Sequence, residues 1–72
     1  MNDELILKNL GMKLKYERLK KGYTQEVLAE KVDVHEKYIS LLETGKQNIT
    51  IKTLNRIANA LEIDIYKLLI FD

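Results

Sequence analysis

Seventy-two residues allow one domain with a small core, because a chain of this size buries only about 60% of its unfolded surface. A hydrophobic content of 46% excludes a disordered chain, and the lack of cysteine excludes disulfide staples and a thiolate metal site. The net charge of +1 argues against a generic electrostatic nucleic-acid binder, although residues 1–22 hold six bases against three acids.

The chain begins Met-Asn-Asp-Glu, and its longest early apolar run is Leu5-Ile6-Leu7. Neither suits a signal peptide, and no stretch approaches a membrane span, so a cytoplasmic location is expected. Asp3 and Glu4 stand where a helix N-terminus favours negative charge. Leu7, Leu10, Leu14 and Arg18 then recur at three- and four-residue intervals, which places Arg18 on the apolar stripe of the first helix. Gly11 lies inside that helix at a cost of about 1 kcal/mol relative to Ala, and close approach of another helix would explain it. Gly22 follows Lys20 and Lys21 as a left-handed cap.

The stretch Thr24–Glu43 reads as two short helices joined by a tight turn. Leu28 and Ala29 face inward from the first, Val32 and Val34 flank the turn, and Ile39 and Leu42 follow in the second. Ala29 supplies the small side chain that two steeply crossing helices need. At 100° per residue, His35, Tyr38, Ile39, Leu42 and Glu43 fall on one half of the second helix. Glu36, Lys37, Ser40, Leu41 and Thr44 fall on the other, which has no core to face yet carries groups able to touch base edges. A recognition helix is built in this way.

Four helix starts share a hydrophobic staple: Tyr23/Leu28 around Thr24, Val34/Ile39 around His35, Ile49/Leu54 around Thr50, and Ile63/Leu68 around Asp64. Thr24, Thr50 and Asp64 are good caps, whereas His35 is a poor one. Asp33 occupies a turn position that calls for left-handed backbone, which Asp tolerates better than most residues. Gly45 closes the recognition helix, and Lys46-Gln47-Asn48 forms a polar loop. Ile51, Leu54, Ile57, Ala58 and Leu61 are expected to line one face of the next helix, and a last short helix after Asp64 carries Ile65, Leu68 and Leu69. The expected fold is an all-α, compact five-helix bundle, with residues 1–72 forming a single domain.

Leu10-Gly11, Leu14-Lys15, Arg18, Gly22-Tyr23-Thr24-Gln25, Leu28-Ala29-Glu30-Lys31, Val34, Tyr38-Ile39-Ser40, Glu43 and Gly45-Lys46 together resemble the Cro/phage-repressor (XRE) helix-turn-helix family. Asn48 to Leu54, Ile57-Ala58 and Ala60-Leu61 continue the match, so it covers roughly Leu10 to Leu69. The Asn-Ile-Thr-Ile-Lys loop and short tail look especially like the controller proteins of restriction–modification systems. The resemblance implies the lambda-repressor-like DNA-binding type of bundle, with the motif at 24–43. His35, Asp33, Leu41 and Val27 depart from the family pattern.

Arg18 and Glu43 would each be expensive to bury alone, so they are expected to pair, and the resemblance implies the same structural ion pair. It also implies that Thr24 and Gln25, at the start of the second helix, meet a DNA phosphate. Lys46, Gln47 and Asn48 are either an ordinary polar loop or further phosphate contacts. On the outward face, Lys37 suits guanine, Glu36 suits cytosine, and Leu41 suits a thymine methyl, with Tyr38 and Ser40 as adaptable donors. A solvated charged face is the bland alternative. Leu69, Ile70 and Phe71 are more apolar than a terminus needs and are candidates for a dimer interface.

His35 has no cysteine or carboxylate cluster at ligand spacing, and Tyr16, Tyr23 and Tyr66 are expected to pack or rim the core. No Gly-rich phosphate loop and no Ser/His/Asp arrangement occurs, so no enzyme, cofactor or metal is expected. The expected function is a sequence-specific double-stranded DNA-binding transcriptional regulator, homodimeric on a palindromic operator. The alternative is an antitoxin-like protein-interaction module that keeps the fold, which the apolar Val27 favours.

Overall fold

A computed structural model describes residues 1–71, and the described chain is all-helical. Four α-helices, α1 (Asp3–Lys20), α2 (Gln25–Val32), α3 (Glu36–Glu43) and α4 (Ile51–Ala60), precede a 3₁₀-helix, Ile65–Leu69. The fifth element is thus 3₁₀ and not α. α3 is held against both α1 and α2, α4 packs on α2, and the 3₁₀-helix bridges α1 and α4. No described helix is long and apolar enough to cross a membrane.

The core follows the apolar spacing. Leu10 and Leu14 of α1 meet Leu28, Ala29 and Val32 of α2, Ile39 and Leu42 of α3, Leu54, Ile57 and Ala58 of α4, and then Leu61 and Leu68. Full burial of each large aliphatic contributes roughly 1.5–3 kcal/mol. Ile51 does not join them: it is 70% exposed. As the first residue of α4, its side chain tilts toward the helix start, beyond the edge of the core. Tyr23 packs on the core as expected, but Tyr16 and Tyr66 are exposed. Tyr16 instead lies under the ammonium groups of Lys13 and Lys20, 5.4 and 5.8 Å from its ring centre.

Side chains cap the four α-helices at their starts. Thr24 Oγ1 accepts from Val27 N and Thr50 Oγ1 from Thr53 N. Asn2 Oδ1 does the same for Leu5 N, a cap that the acidic run beside it obscured. His35, expected to cap poorly, accepts from Lys37 N through Nδ1 at 3.1 Å. Asp64 makes no side-chain cap. In the 3₁₀ turn the Lys67 N–H already bonds the Asp64 backbone carbonyl, so the amide a side-chain cap would engage is taken.

All four α-helices end in one device, a Schellman motif with a left-handed residue just past the helix. At α2, Val34 N bonds Ala29 O and Asp33 N bonds Glu30 O, and Asp33 takes φ +57° as expected. Gly22 and Gly45 serve α1 and α3, and Glu62, at φ +58°, serves α4. Glu62 also pairs with Lys21 at the surface. That hydrogen bond raises the Lys21 pKa above its ordinary value and lowers that of Glu62. Arg56 Nη1 donates to Val32 O at 3.1 Å, tying α4 to the carbonyl end of α2.

Gly11 lets α1 and α3 touch. A Cβ there would sit 2.7 Å from the Glu43 carbonyl oxygen and closer still to that of Leu42. The helices can approach this closely only where α1 has no side chain.

Candidate nucleic-acid interface

A buried network fixes the recognition helix. Arg18 donates through Nε to Glu43 Oε2 at 2.6 Å and through Nη2 to Glu43 Oε1 at 3.0 Å. This bidentate pair is the strong form of a guanidinium–carboxylate contact. Arg18 Nη1 reaches Tyr23 O at 2.8 Å, and Gln25 Nε2 reaches Glu43 Oε1 at 3.0 Å. Both charged residues are more than nine-tenths buried. Three donors on one carboxylate therefore clamp the end of α3 to α1 and to the start of α2, while the same guanidinium holds the α1–α2 loop through Tyr23 O.

Gln25 needs a finer reading than its sequence allowed. Glu43 can only accept, so the Gln25 amide nitrogen must face inward. One of its two N–H hydrogens is committed, leaving the second and the backbone N–H at the helix start for an outside anion. Thr24 spends an oxygen lone pair on its cap and keeps its hydroxyl proton.

Gln25, His35, Glu36, Lys37 and Ser40 line one shallow open depression. Glu36 and Lys37 are exposed, while Ser40 and Leu41 are half-buried. Tyr38 stands apart, packed against the core. At the other end of α3, Gly45 N bonds Leu42 O and Lys46 N bonds Leu41 O, so the Schellman turn delivers Lys46 directly after the helix. Lys46 and Asn48 are exposed and Gln47 is half-buried.

The turn rests on α1, where a Cβ on Gly45 would fall 2.9 Å from Lys8 Cα. Lys8 and Lys46 consequently line one depression with Asn2 and Thr44. Sequence spacing alone gave no sign that Lys8, 38 residues earlier, stands beside the loop. α3 thus presents Glu36, Lys37 and Ser40 outward, with Gln25 beside its start and Lys46 beyond its end. Donors and acceptors lie on the helix face, and a positive charge flanks it. No group of three or more metal-binding side chains occurs among the described residues. Leu69 and Ile70 are exposed, and Phe71 packs partly on the core beside α1.

The sequence and the fold are both similar to those of known proteins. Residues 14–68 match the model of the helix-turn-helix family. An uncharacterized HTH-type transcriptional regulator of Archaeoglobus fulgidus is 44% identical over 55 residues, which is 76% of this chain and 79% of that protein. The restriction–modification controller protein C.AhdI from Aeromonas hydrophila is 31% identical and superposes with a TM-score of 0.84, covering 86% of this chain and 94% of that one. SinR, the master regulator for biofilm formation, solved in complex with DNA, is 34% identical at a TM-score of 0.80, over 85% of this chain and 98% of that one.

Proposed function

The chain belongs to the XRE-type helix-turn-helix family of transcriptional regulators, and from that premise we propose that it reads duplex DNA as a homodimer on a palindromic operator. The observation that carries this reading is the outward face of α3, held rigid by the Arg18–Glu43–Gln25 network. A helix that reads base edges must keep its side chains in register with them, and this clamp fixes both ends of the motif.

Glu36, Lys37, Ser40 and Leu41 take the base-reading role, with Tyr38 at the margin. Thr24, Gln25, Lys46, Gln47 and Asn48 take phosphates on either side. The low net charge means that few phosphates are neutralised and that two subunits are needed for useful affinity. Leu69, Ile70 and Phe71 supply the contact between subunits, which offsets the small core of one chain. Work on DNA goes with a cytoplasmic location and one DNA-binding domain over residues 1–72.

Selection of bound duplexes from a random pool tests this. A two-fold symmetric site should emerge, with half-sites one turn or roughly 34–36 Å apart and affinity that falls steeply with salt. Absence of both enrichment and low-salt binding would overturn the proposal.

A further inference from the structure

α1 is apolar on two opposite faces. Leu10 and Leu14 face the core, while Leu5, Met12, Tyr16 and Leu19 are all exposed. At 100° per residue these four fall within about 60° of one another, opposite the buried stripe. They form a straight seam roughly 20 Å long. Scattered exposed apolar side chains need no explanation, but a collinear set on one helix does. Ile70 of the C-terminal segment borders the seam, lining a shallow groove with Met12 and Tyr16.

The charges along most of the seam are basic, with Glu4 the one acid beside its first turn. Lys8 and Lys15 flank it on one side, and Lys13 and Lys20 on the other. Of the acids of α1, Asp3 lies at the first turn, Glu17 is buried with its carboxylate 3.9 Å from Lys13 Nζ, and Glu4 shares a depression with Leu5 and Lys8 at the N-terminal end of the seam. Two copies of this face brought together would oppose lysine with lysine. Acids flanking an apolar seam would meet Lys8, Lys15 and Lys20 favourably, Lys13 being already paired with Glu17. The width of one helix and the adaptable Met12 suit a helix laid into the groove.

We infer that the outer seam of α1 docks an amphipathic helix of another protein, with acidic residues on both sides of its apolar stripe. This surface meets the α3 side only at Lys8, which shares a depression with Lys46, and borders the C-terminal tail at Ile70; the inference does not depend on how the α3 face is used.

The test uses the full chain and two labelled synthetic helical peptides of about eighteen residues. Both carry the same leucine stripe, flanked by Glu in one and by Lys in the other, and binding is followed by fluorescence anisotropy. The Glu-flanked peptide should bind at least about tenfold tighter than its Lys-flanked counterpart. The double variant Met12→Glu, Leu19→Glu, both solvent-facing positions, should lose that binding while keeping the helical circular dichroism of the parent.

Equal affinity for the two peptides, or no binding of the acidic one, overturns the inference. So does self-association abolished by the double variant, which would give the seam to a second copy. Binding to vesicles of phosphatidylcholine and phosphatidylglycerol that the variant loses would give it to a membrane and would overturn it too. DNA binding measured alongside separates these outcomes from any failure of the regulatory reading.

Discussion

Gln25 Nε2 donates to Glu43 Oε1 at 3.0 Å, tying the first residue of α2 to the last residue of the recognition helix. The bond joins the two ends of the helix-turn-helix that the turn itself leaves unconnected. Its partner is charged but the site is half-open, so Gln25→Ala should cost about 1 kcal/mol of stability. Urea denaturation measures it. A loss of DNA affinity with unchanged stability would show that the amide acts on phosphate alone.

Glu43→Ala should be among the most destabilising single changes outside the aliphatic core. It strands a buried guanidinium that now has two bonds to the carboxylate, at a cost of about 3–5 kcal/mol. A denaturant midpoint equal to that of the parent would contradict the buried pair.

Gly11→Ala inverts the usual propensity rule. In an open helix this change gains about 1 kcal/mol, but here the added methyl collides with two backbone carbonyls of α3. Overpacking of this kind costs about 1–3 kcal/mol and pushes the recognition helix off α1. The thermal midpoint should therefore fall, and a rise would show that the helices can part freely.

The left-handed ends of α2 and α4 offer a gain. Asp33 and Glu62 hold φ +57° and +58°, where a Cβ is strained. Asp33→Gly and Glu62→Gly should each raise stability by about 0.5–1 kcal/mol, less whatever the exposed Lys21 contact contributes in the second case. Differential scanning calorimetry of the two variants decides it.

Much of this was legible from spacing. Leu10, Leu14, Leu28, Ile39, Leu54 and Leu68 announce the core because burial repeats with the helical period, and Thr24 and Thr50 announce their caps chemically. Arg18 and Glu43 could be paired because two charges on inward faces must find each other. The third partner, Gln25, could not, since an amide at a helix start is equally at home in water. Glu62 carries no turn chemistry in its side chain, so the end of α4 was silent. Ile51 misled because periodicity says which side a residue faces and not whether the core extends that far. At the candidate interface, the outward placing of Lys37 and Glu36 follows from their face of α3, whereas Lys8 reaches the loop only through the fold.

The apolar tail makes a separate claim about assembly. Leu69 and Ile70 are exposed beside the partly buried Phe71. Truncation after Leu68 should leave the helical signal intact and weaken dimerisation, read by sedimentation. An intact chain that stays monomeric at high concentration would contradict the dimer.

The most direct measurement compares Lys37→Ala and Lys46→Ala on a panel of single-base operator variants at several salt concentrations. Lys37 stands on the outward face of α3, so its loss should cost about 1–3 kcal/mol and relax preference at one position per half-site. Lys46 follows the helix in the polar turn, so its loss should weaken good and poor sites alike and shallow the salt dependence by about one unit. A uniform loss for Lys37→Ala, with base preference unchanged, would show that the outward face of α3 does not read sequence.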